Sequence, residues 1–95
     1  MRDNHKRKNN GNKKIEEIKE FIRNEDYTIH EHFKKRFEER EFTHKDVRRI
    51  IFDGNPVFDF QSRVRFEWKK HSVVIEFQDK STSGKVTAIT LLTIF

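Results

Sequence analysis

The chain has 95 residues, which fits a single domain, and it has no cysteine, so disulfide bonds, zinc fingers and thiol catalysis are excluded. Its 21 Lys and Arg outnumber its 16 Asp and Glu, and the net charge of +5 indicates either plain solubility or a polyanionic partner such as nucleic acid. No apolar run approaches the roughly 20 residues of a membrane span, so we expect no membrane partner.

The first dozen residues, MRDNHKRKNNGN, contain no apolar residue after the initial methionine and are rich in Asn and basic residues. This composition predicts a disordered basic arm or a linker at 1–12, followed by one α+β domain at 13–95. Within that domain, apolar residues recur at helical spacing in KKIEEIKEFIRN, residues 13–24, and this spacing predicts the first helix.

Two more helices are predicted before the middle of the chain. Residues 27–30 form a short extended link, and the segment from His32 to Arg40 forms a second helix that buries Phe33 and Phe37. A third helix follows, and its ends are predicted by a capping box and by a glycine shortly before a proline: Thr43 with Asp46, and Gly54.

After Pro56 the apolar residues alternate, which predicts four strands: 57–61, 63–69, 72–78 and 85–95. The last strand has no charge after Lys85, so we expect it in a central position with both faces covered. Helices followed by strands predict an α+β domain, with N-terminal helices packed on one face of a four-stranded antiparallel sheet.

One face of the second predicted strand carries Arg63, Arg65 and Lys69, which point away from its apolar face. Alternate side chains on a strand lie about 6.6 Å apart, close to the separation of successive phosphates in an extended nucleic-acid strand. Arg63 and Lys69 are therefore candidate substrate-binding residues, together with His71 in the next turn. The plainer interpretation is an ordinary solvated sheet face, which Glu67 within the row supports.

His32, Arg36 and Arg40 form one stripe on the second helix because they recur every four residues. Three potential cations in a row repel one another unless an anion lies between them, and a phosphate would supply it. Alternatively, the arginine stems cover the edge of the core while their heads stay in water. A histidine titrates at about pH 6.5, so His32 is suited to proton transfer. His30 and His32 point about 200° apart on a helix, so no metal or other cofactor is expected.

The stretch HFKKRFEEREFT resembles the signature of a bacterial family of unknown function, DUF 4258, and the resemblance extends over residues 27–95. Members typically read His-Ala-x2-Arg-hydrophobic-x2-Arg-Gly-Ile-Ser, then a short helix, then a meander of strands. The matching positions are a histidine and two arginines: His32, Arg36 and Arg40. The departures are Phe33 where alanine is usual, and residues 41–43, Glu-Phe-Thr, where Gly-Ile-Ser is usual.

The resemblance implies a fold near that of barnase-like, EndoU-like, colicin-type and RelE-like ribonucleases, to which several bacterial toxin domains are similar. Such enzymes cut RNA without metal, by attack of the 2′-hydroxyl on the adjacent phosphate. The chain's own residues supply candidates of the right types for this chemistry: His32 as general acid or base, and Arg36 and Arg40 as a phosphate clamp, which Arg65 from the sheet would complete. A hydroxyl of the last strand would orient the phosphate: Thr90 or Thr93.

The expected function is that of a small metal-independent endoribonuclease, the toxic domain of a bacterial toxin or toxin–antitoxin system. Its substrate would be tRNA or mRNA in the cytoplasm, and its protein partner a cognate antitoxin or immunity protein. The alternatives are a non-catalytic nucleic-acid-binding or protein-interaction module on the same fold, and a purely structural accessory domain.

Overall fold

Over the part of the chain that it describes, the structure, a computed structural model, contains three helices and five strands. The described residues are 2–60, 62–80 and 82–95, with the backbone alone at 2–12 and 60. The elements, in chain order, are α1 (Arg2–Arg23), β1 (Thr28–Ile29), α2 (Glu31–Glu39), α3 (His44–Asp53), β2 (Asn55–Phe60), β3 (Arg63–Trp68), β4 (His71–Asp79) and β5 (Val86–Ile94).

The strands form one mixed sheet in the order β1-β5-β4-β3-β2. Strands β2 to β5 pair antiparallel, but β1 runs parallel to β5, with Thr28 opposite Thr90 and Ile29 opposite Leu91. The predicted four-stranded antiparallel sheet is therefore wrong, whereas the α+β class is confirmed. Two residues are too few to give a readable alternation, so the sequence pattern does not reveal β1. The N–H of His30 extends the pairing by donating to the Leu91 carbonyl at 2.9 Å.

All three helices contribute to a single apolar core on one face of this sheet. Ile18 of α1, Phe33 of α2 and Ile51 of α3 are buried in the same cluster as Phe66 and Ile75 of the sheet. Strand side chains alternate between faces, so the residues between these buried ones form an outer face, which no helix covers in the described part of the chain. The two sheet faces therefore differ: one is core and the other is polar and open.

The last strand lies inside the sheet, between β1 and β4, as its uncharged sequence predicts. It is not covered on both sides along its length, because Thr87 and Ala88 are exposed. The short strand β1 supplies the second hydrogen-bonding neighbour that makes β5 internal. Its position in the sheet was thus predictable, although the identity of its neighbour was not.

Helix α1 begins at Arg2, before the predicted start at residue 13. The predicted disordered basic arm falls on residues 1–12, whose side chains lie outside the described part of the chain, and it stays a prediction. From residue 13 onwards the helix buries a stripe at helical spacing, as predicted: Ile15, Ile18 and Ile22.

The ends of α3 follow the predicted signals. The N–H of Thr43 donates to Asp46 Oδ2 at 2.8 Å and the N–H of Asp46 donates to Thr43 Oγ1 at 3.1 Å, so the capping box is confirmed. The helix ends at Gly54, where a β-carbon would collide with the carbonyl oxygen of Ile50 and lie 2.9 Å from that of Glu67. Because it has no β-carbon, glycine allows the chain to leave α3 at this position with its main chain packed against that of β3.

Three described residues other than glycine have left-handed φ angles: Glu25 (54°), Glu41 (55°) and Lys69 (55°). The two glutamates end α1 and α2 in Schellman motifs, in which the next N–H donates to a helix carbonyl: Asp26 to Phe21 at 2.9 Å and Phe42 to Phe37 at 3.0 Å. Lys69 begins the turn that joins β3 to β4. A residue with a β-carbon adopts this conformation at a cost of about 1–2 kcal/mol, which glycine avoids.

Candidate functional site

A cleft of about 340 Å³ lies between the C-terminal end of α2, the start of α3 and the turn that joins β3 to β4. We call it the His71 cleft, and it is lined by Arg40, Glu41, Phe42, Asp46, Ile50, Trp68 and His71. The lining combines one guanidinium, two carboxylates and one imidazole with aromatic and aliphatic walls. These residues come from three separate segments of the chain, so the fold, and not local sequence, brings them together.

The imidazole of His71 is held in a defined orientation. Its Nδ1 lies 3.1 Å from the main-chain oxygen of Phe95, and its ring meets the Phe42 ring edge-on, with centroids 5.1 Å apart. A carbonyl oxygen can only accept, so Nδ1 carries the hydrogen and donates it. In the neutral ring, Nε2 then keeps its lone pair and is the atom available for proton transfer. The side chain is exposed, so solvent or a ligand can reach it.

The predicted arginines of α2 are related to this cleft in two different ways. Arg40 lines the His71 cleft, and the guanidinium carbon of Arg36 lies 4.7 Å from the ring centroid of Phe95. Phe95 therefore contacts Arg36 with its ring and orients His71 with its main chain. Two of the sequence-predicted site residues, Arg40 and His71, thus share the cleft, and a third, Arg36, is linked to it through Phe95.

The turn side of the cleft holds two further cations above an indole. Lys69 Nζ lies 4.5 Å and the Arg49 guanidinium carbon 5.8 Å from the Trp68 ring. Trp68 stands opposite His71 in the β3–β4 ladder, so these cations are close to the imidazole. Lys69 was predicted as a binding residue, whereas Arg49 was missed because a helical pattern alone does not tell which of two adjacent arginines faces the sheet.

Ion pairing divides the arginines whose side chains the structure describes into two groups. One group is paired with carboxylates at 2.8–3.6 Å: Arg23, Arg48, Arg63 and Arg65. The other group forms no ion pair within the described residues: Arg36, Arg40 and Arg49. All three members of this second group surround the His71 cleft or the aromatic rings beside it. The guanidinium groups without an ion pair therefore lie around this cleft, which also holds the carboxylates of Glu41 and Asp46.

Asp46 brings a negative charge to the same cleft. Its hydrogen bonds with Thr43 are the main reason that the pKa of Asp46 lies below its ordinary value, and the positive charges of His71 and Arg49 lower it further. The carboxylate is thus ionised at neutral pH and lies close enough to Arg49 and His71 for their charges to act on it. It stabilises the start of α3 and partly balances the positive charge of the cleft.

His32 lies at the other end of the predicted stripe, one helical turn before Arg36. Its ring stacks on that of His30, with centroids 5.7 Å apart and planes 9° apart, and its N–H donates to His30 Nδ1 at 3.1 Å. His30 is therefore the N-cap of α2. The imidazole of His32 is exposed at the start of the helix and is not among the residues that line the His71 cleft.

The outer face of the sheet holds the other predicted site residues. Arg65 alternates with two buried residues and donates to both oxygens of Asp59 at 3.0 and 2.9 Å and to Glu67 at 2.8 Å. The hydrogen bond to Glu67, followed by the charge of Asp59, raises the pKa of Arg65. Its charge is balanced on the side of the sheet away from α2. The structure therefore does not bring Arg65 together with Arg36 and Arg40.

Arg63 and Thr90 share this outer face. Arg63 lies 3.6 Å from Glu76, and Thr90 shares a hydrogen bond of 2.7 Å with the hydroxyl of Thr28. Glu76 is the ladder partner of both Arg63 and Thr90, so the three stand in one row across the sheet. This row is separate from the His71 cleft, and the predicted role of Thr90 in orienting a phosphate gains no support from it.

A larger cavity of about 840 Å³ opens between α2 and α3, over β1 and β5. We call it the apolar groove, and its floor is lined by Ile22, Tyr27, Ile29, Phe33, Phe37, Val47 and Leu91. Large apolar pockets are the usual first choice for a ligand site. Here the charged residues at its rim mix both signs: Glu25 and Arg48 pair with each other at 3.2 Å, and Lys34, Glu38 and Lys45 also line the groove. The groove therefore differs from the His71 cleft in its long apolar floor, and not in lacking cations.

No protein-family model, curated protein or solved structure matches this chain. The fold and the cleft define a basic α+β domain in which an oriented histidine shares a cleft with Arg40, an arginine without an ion pair within the described residues. Within the described residues, no helix is both long enough and apolar enough to cross a membrane.

Proposed function

We propose that this chain is a metal-independent endoribonuclease that cleaves RNA at the His71 cleft by attack of the 2′-hydroxyl on the adjacent phosphate. One observation carries the proposal: an exposed, oriented histidine shares a cleft with Arg40, which forms no ion pair within the described residues, and Arg36 contacts the ring of Phe95, whose main chain orients that histidine. The polyanionic backbone of RNA fits such a concentration of positive charge, and its 2′-hydroxyl fits a nearby proton acceptor.

In the proposed reaction, Nε2 of His71 takes the proton of the 2′-hydroxyl while the 2′-oxygen forms a bond to phosphorus. The bond from phosphorus to the 5′-oxygen breaks, and His32 gives a proton to the leaving 5′-oxygen. The products are a 2′,3′-cyclic phosphate and a 5′-hydroxyl, so atoms and charges balance. Arg36 and Arg40 stabilise the pentavalent transition state, and such preorganised donors contribute factors of about 10²–10³ each.

The proposed biological setting is a bacterial toxin domain of the barnase- or RelE-like kind. It rests on the resemblance of the α2 motif to DUF 4258 and on the presence of the motif residues Arg36 and Arg40 near the oriented histidine. The proposed substrate is tRNA or mRNA in the cytoplasm, with a cognate antitoxin or immunity protein as partner. A neutralising partner would be expected to be acidic where it meets the cleft.

The test is cleavage of a fluorescent oligoribonucleotide in the presence of EDTA. Wild-type protein should produce 2′,3′-cyclic phosphate ends, and His71→Ala should lower the rate by about 10²–10⁴. Arg40→Gln should lower it as well, whereas the matched variant Arg65→Gln, on the outer sheet face, should not. Intact RNA after long incubation with wild-type protein would refute the enzymatic proposal.

The assignment of His71 as general base and His32 as general acid can be tested with a uridine 3′-phosphate ester of 4-nitrophenol. Its leaving group departs without protonation, so a general acid is no longer needed. His32→Ala should therefore cleave this ester at nearly the wild-type rate while failing on RNA, whereas His71→Ala should fail on both. Equal losses on the ester for both variants would contradict the assignment of His32 as the acid.

A second candidate function is RNA binding without cleavage at the same cleft. It is favoured by the position of His32, which is absent from the residues lining the His71 cleft. In that case wild-type protein would bind oligoribonucleotides and leave them intact, and Arg40→Gln would weaken binding while His71→Ala would change it little. Binding and cleavage of the same fluorescent oligoribonucleotide, measured side by side, therefore separate the two functions.

A further inference from the structure

We infer that Arg49 and Lys69, held over the indole of Trp68, form a second phosphate-binding position, so that the substrate is an RNA strand with at least two phosphates. The inference rests on the proposed function, because it extends the site at which RNA would bind. It assigns roles to Arg49 and Trp68, neither of which takes part in the proposed chemistry.

The first step is that these two cations are held by an aromatic ring and not by a carboxylate. Lys69 Nζ and the Arg49 guanidinium carbon lie 4.5 and 5.8 Å from the Trp68 ring. Neither forms an ion pair within the described residues, in contrast to Arg48, the neighbour of Arg49 on α3, which pairs with Glu25. A ring attracts a cation but does not cancel its charge. The charge of Asp46 acts on Arg49 without a direct ion pair, so Arg49 and Lys69 can still bind an incoming anion.

The second step is the position of Lys69 in the turn. Its φ of 55° lies in the left-handed region, where glycine is the usual residue. A non-glycine residue in this conformation is held there at a cost in stability, and such costs concentrate at functional sites. The β3–β4 turn therefore carries a lysine at a position where local stability favours glycine.

The third step is the arrangement of the cations around the imidazole. Trp68 and His71 are paired in the β3–β4 ladder, so the Arg49–Lys69 pair lies on the turn side of His71. Arg36 and Arg40 come from α2 and lie on the helix side. Suppose that the α2 arginines hold the phosphate that is attacked next to His71. The next phosphate along the RNA would then be the one that Arg49 and Lys69 bind. A ligand with a single phosphate cannot use both positions.

The experiment compares Arg49→Ala with Arg48→Ala, which removes the same charge from the same helix at the next residue. Binding of a 2′-O-methyl oligonucleotide, which cannot be cleaved by 2′-hydroxyl attack, is measured at several salt concentrations. When a variant no longer neutralises one phosphate of a single strand, the slope of log affinity against log salt should fall by about 0.7. We expect this reduction for Arg49→Ala and Lys69→Ala, and none for Arg48→Ala.

A second measurement uses cleavage of a trinucleotide with two phosphates and of a dinucleotide with one. Arg49→Ala should raise KM for the trinucleotide and leave cleavage of the dinucleotide unchanged. Trp68→Phe, which keeps a ring under the cations, should retain more of the trinucleotide preference than Trp68→Leu. The second phosphate position is refuted if wild-type protein cleaves both substrates with equal kcat/KM. It is also refuted if Arg48→Ala and Arg49→Ala change the salt slope equally. Neither result would contradict RNA cleavage itself. A wild-type protein that neither binds nor cuts RNA would instead refute the proposed function.

Discussion

The left-handed glutamate at the end of α2 offers a test in which stability and RNA binding are both expected to increase. Glu41 has a φ of 55° and lines the His71 cleft. Replacing it by glycine removes a conformational cost of about 1–2 kcal/mol and adds an entropic cost of about 0.5–1 kcal/mol for the more flexible unfolded chain. The net gain should be about 0.5–1 kcal/mol, or about 2–8 °C in Tm for a domain of this size.

The same substitution should strengthen RNA binding because it removes a carboxylate from a proposed phosphate site. A carboxylate about 6 Å from a phosphate in water repels it by about 0.7 kcal/mol, which is about threefold in affinity. Urea unfolding measures the first effect, and fluorescence anisotropy with a 2′-O-methyl oligonucleotide measures the second. Glu41→Gln separates them, since it should increase RNA affinity without the gain in stability.

Glu25→Gly is the matched control. Glu25 ends α1 in the same Schellman geometry, with a φ of 54°, but lies at the apolar groove. The Glu25→Gly variant should gain a similar free energy of unfolding from the relieved backbone conformation. Part of this gain is offset because the variant loses an exposed ion pair with Arg48, which contributes about 0–1 kcal/mol. RNA binding should be unchanged. The reasoning is refuted if Glu41→Gly lowers the free energy of unfolding, or if both glycine variants strengthen RNA binding equally.

Three other substitutions test the fold beneath the cleft. Phe33→Ala removes a side chain that is 3% exposed, and it should cost about 3–5 kcal/mol in urea unfolding; a loss below about 1 kcal/mol would mean that α2 is not anchored through this ring. Gly54→Ala should destabilise by about 1–3 kcal/mol because the added methyl would meet the main-chain oxygens of Ile50 and Glu67, and a neutral result would place α3 farther from β3. Asp46→Asn should change the pH dependence of stability. The pKa of Asp46 is lowered in the folded state, so its charge stabilises the protein above the ordinary pKa of 3.8, and this contribution is lost as the pH falls through the lowered value. The difference in urea midpoint between wild type and Asp46→Asn should therefore shrink from pH 7 to pH 2, and a constant difference would contradict the linkage.

Local signals in the sequence predicted the parts of this fold that depend on neighbouring residues. The capping box needs only Thr43 and Asp46, and the buried stripe of α2 includes Phe33 at its predicted place. Strand β1 could not be predicted, because its two residues pair with residues 90 and 91, which are far away in the chain. Its existence depends on the free edge of β5, which only the assembled sheet provides.

The candidate site shows the same division. Arg65 and Glu67 stand two apart on one strand, so their ion pair was open to prediction from alternation, but the contact of Arg65 with Asp59 also required the register of β2. The meeting of Arg40 with His71 required the packing of α2 and α3 against the sheet. Sequence spacing therefore identified suitable side chains, and tertiary structure decided which of them meet.

The position of β5 links the cleft to the folding of the whole domain. Leu91 accepts the hydrogen bond that fixes the chain just before α2, and Phe95 orients the imidazole of His71. The first pairing joins residues far apart in the chain and forms late, because the entropy of loop closure must be overcome first, whereas the second closes the open end of the β4–β5 hairpin. A partly folded chain in which β5 has not paired with β4 would therefore lack an oriented histidine. Activity should therefore appear only with the complete tertiary structure, in one cooperative step.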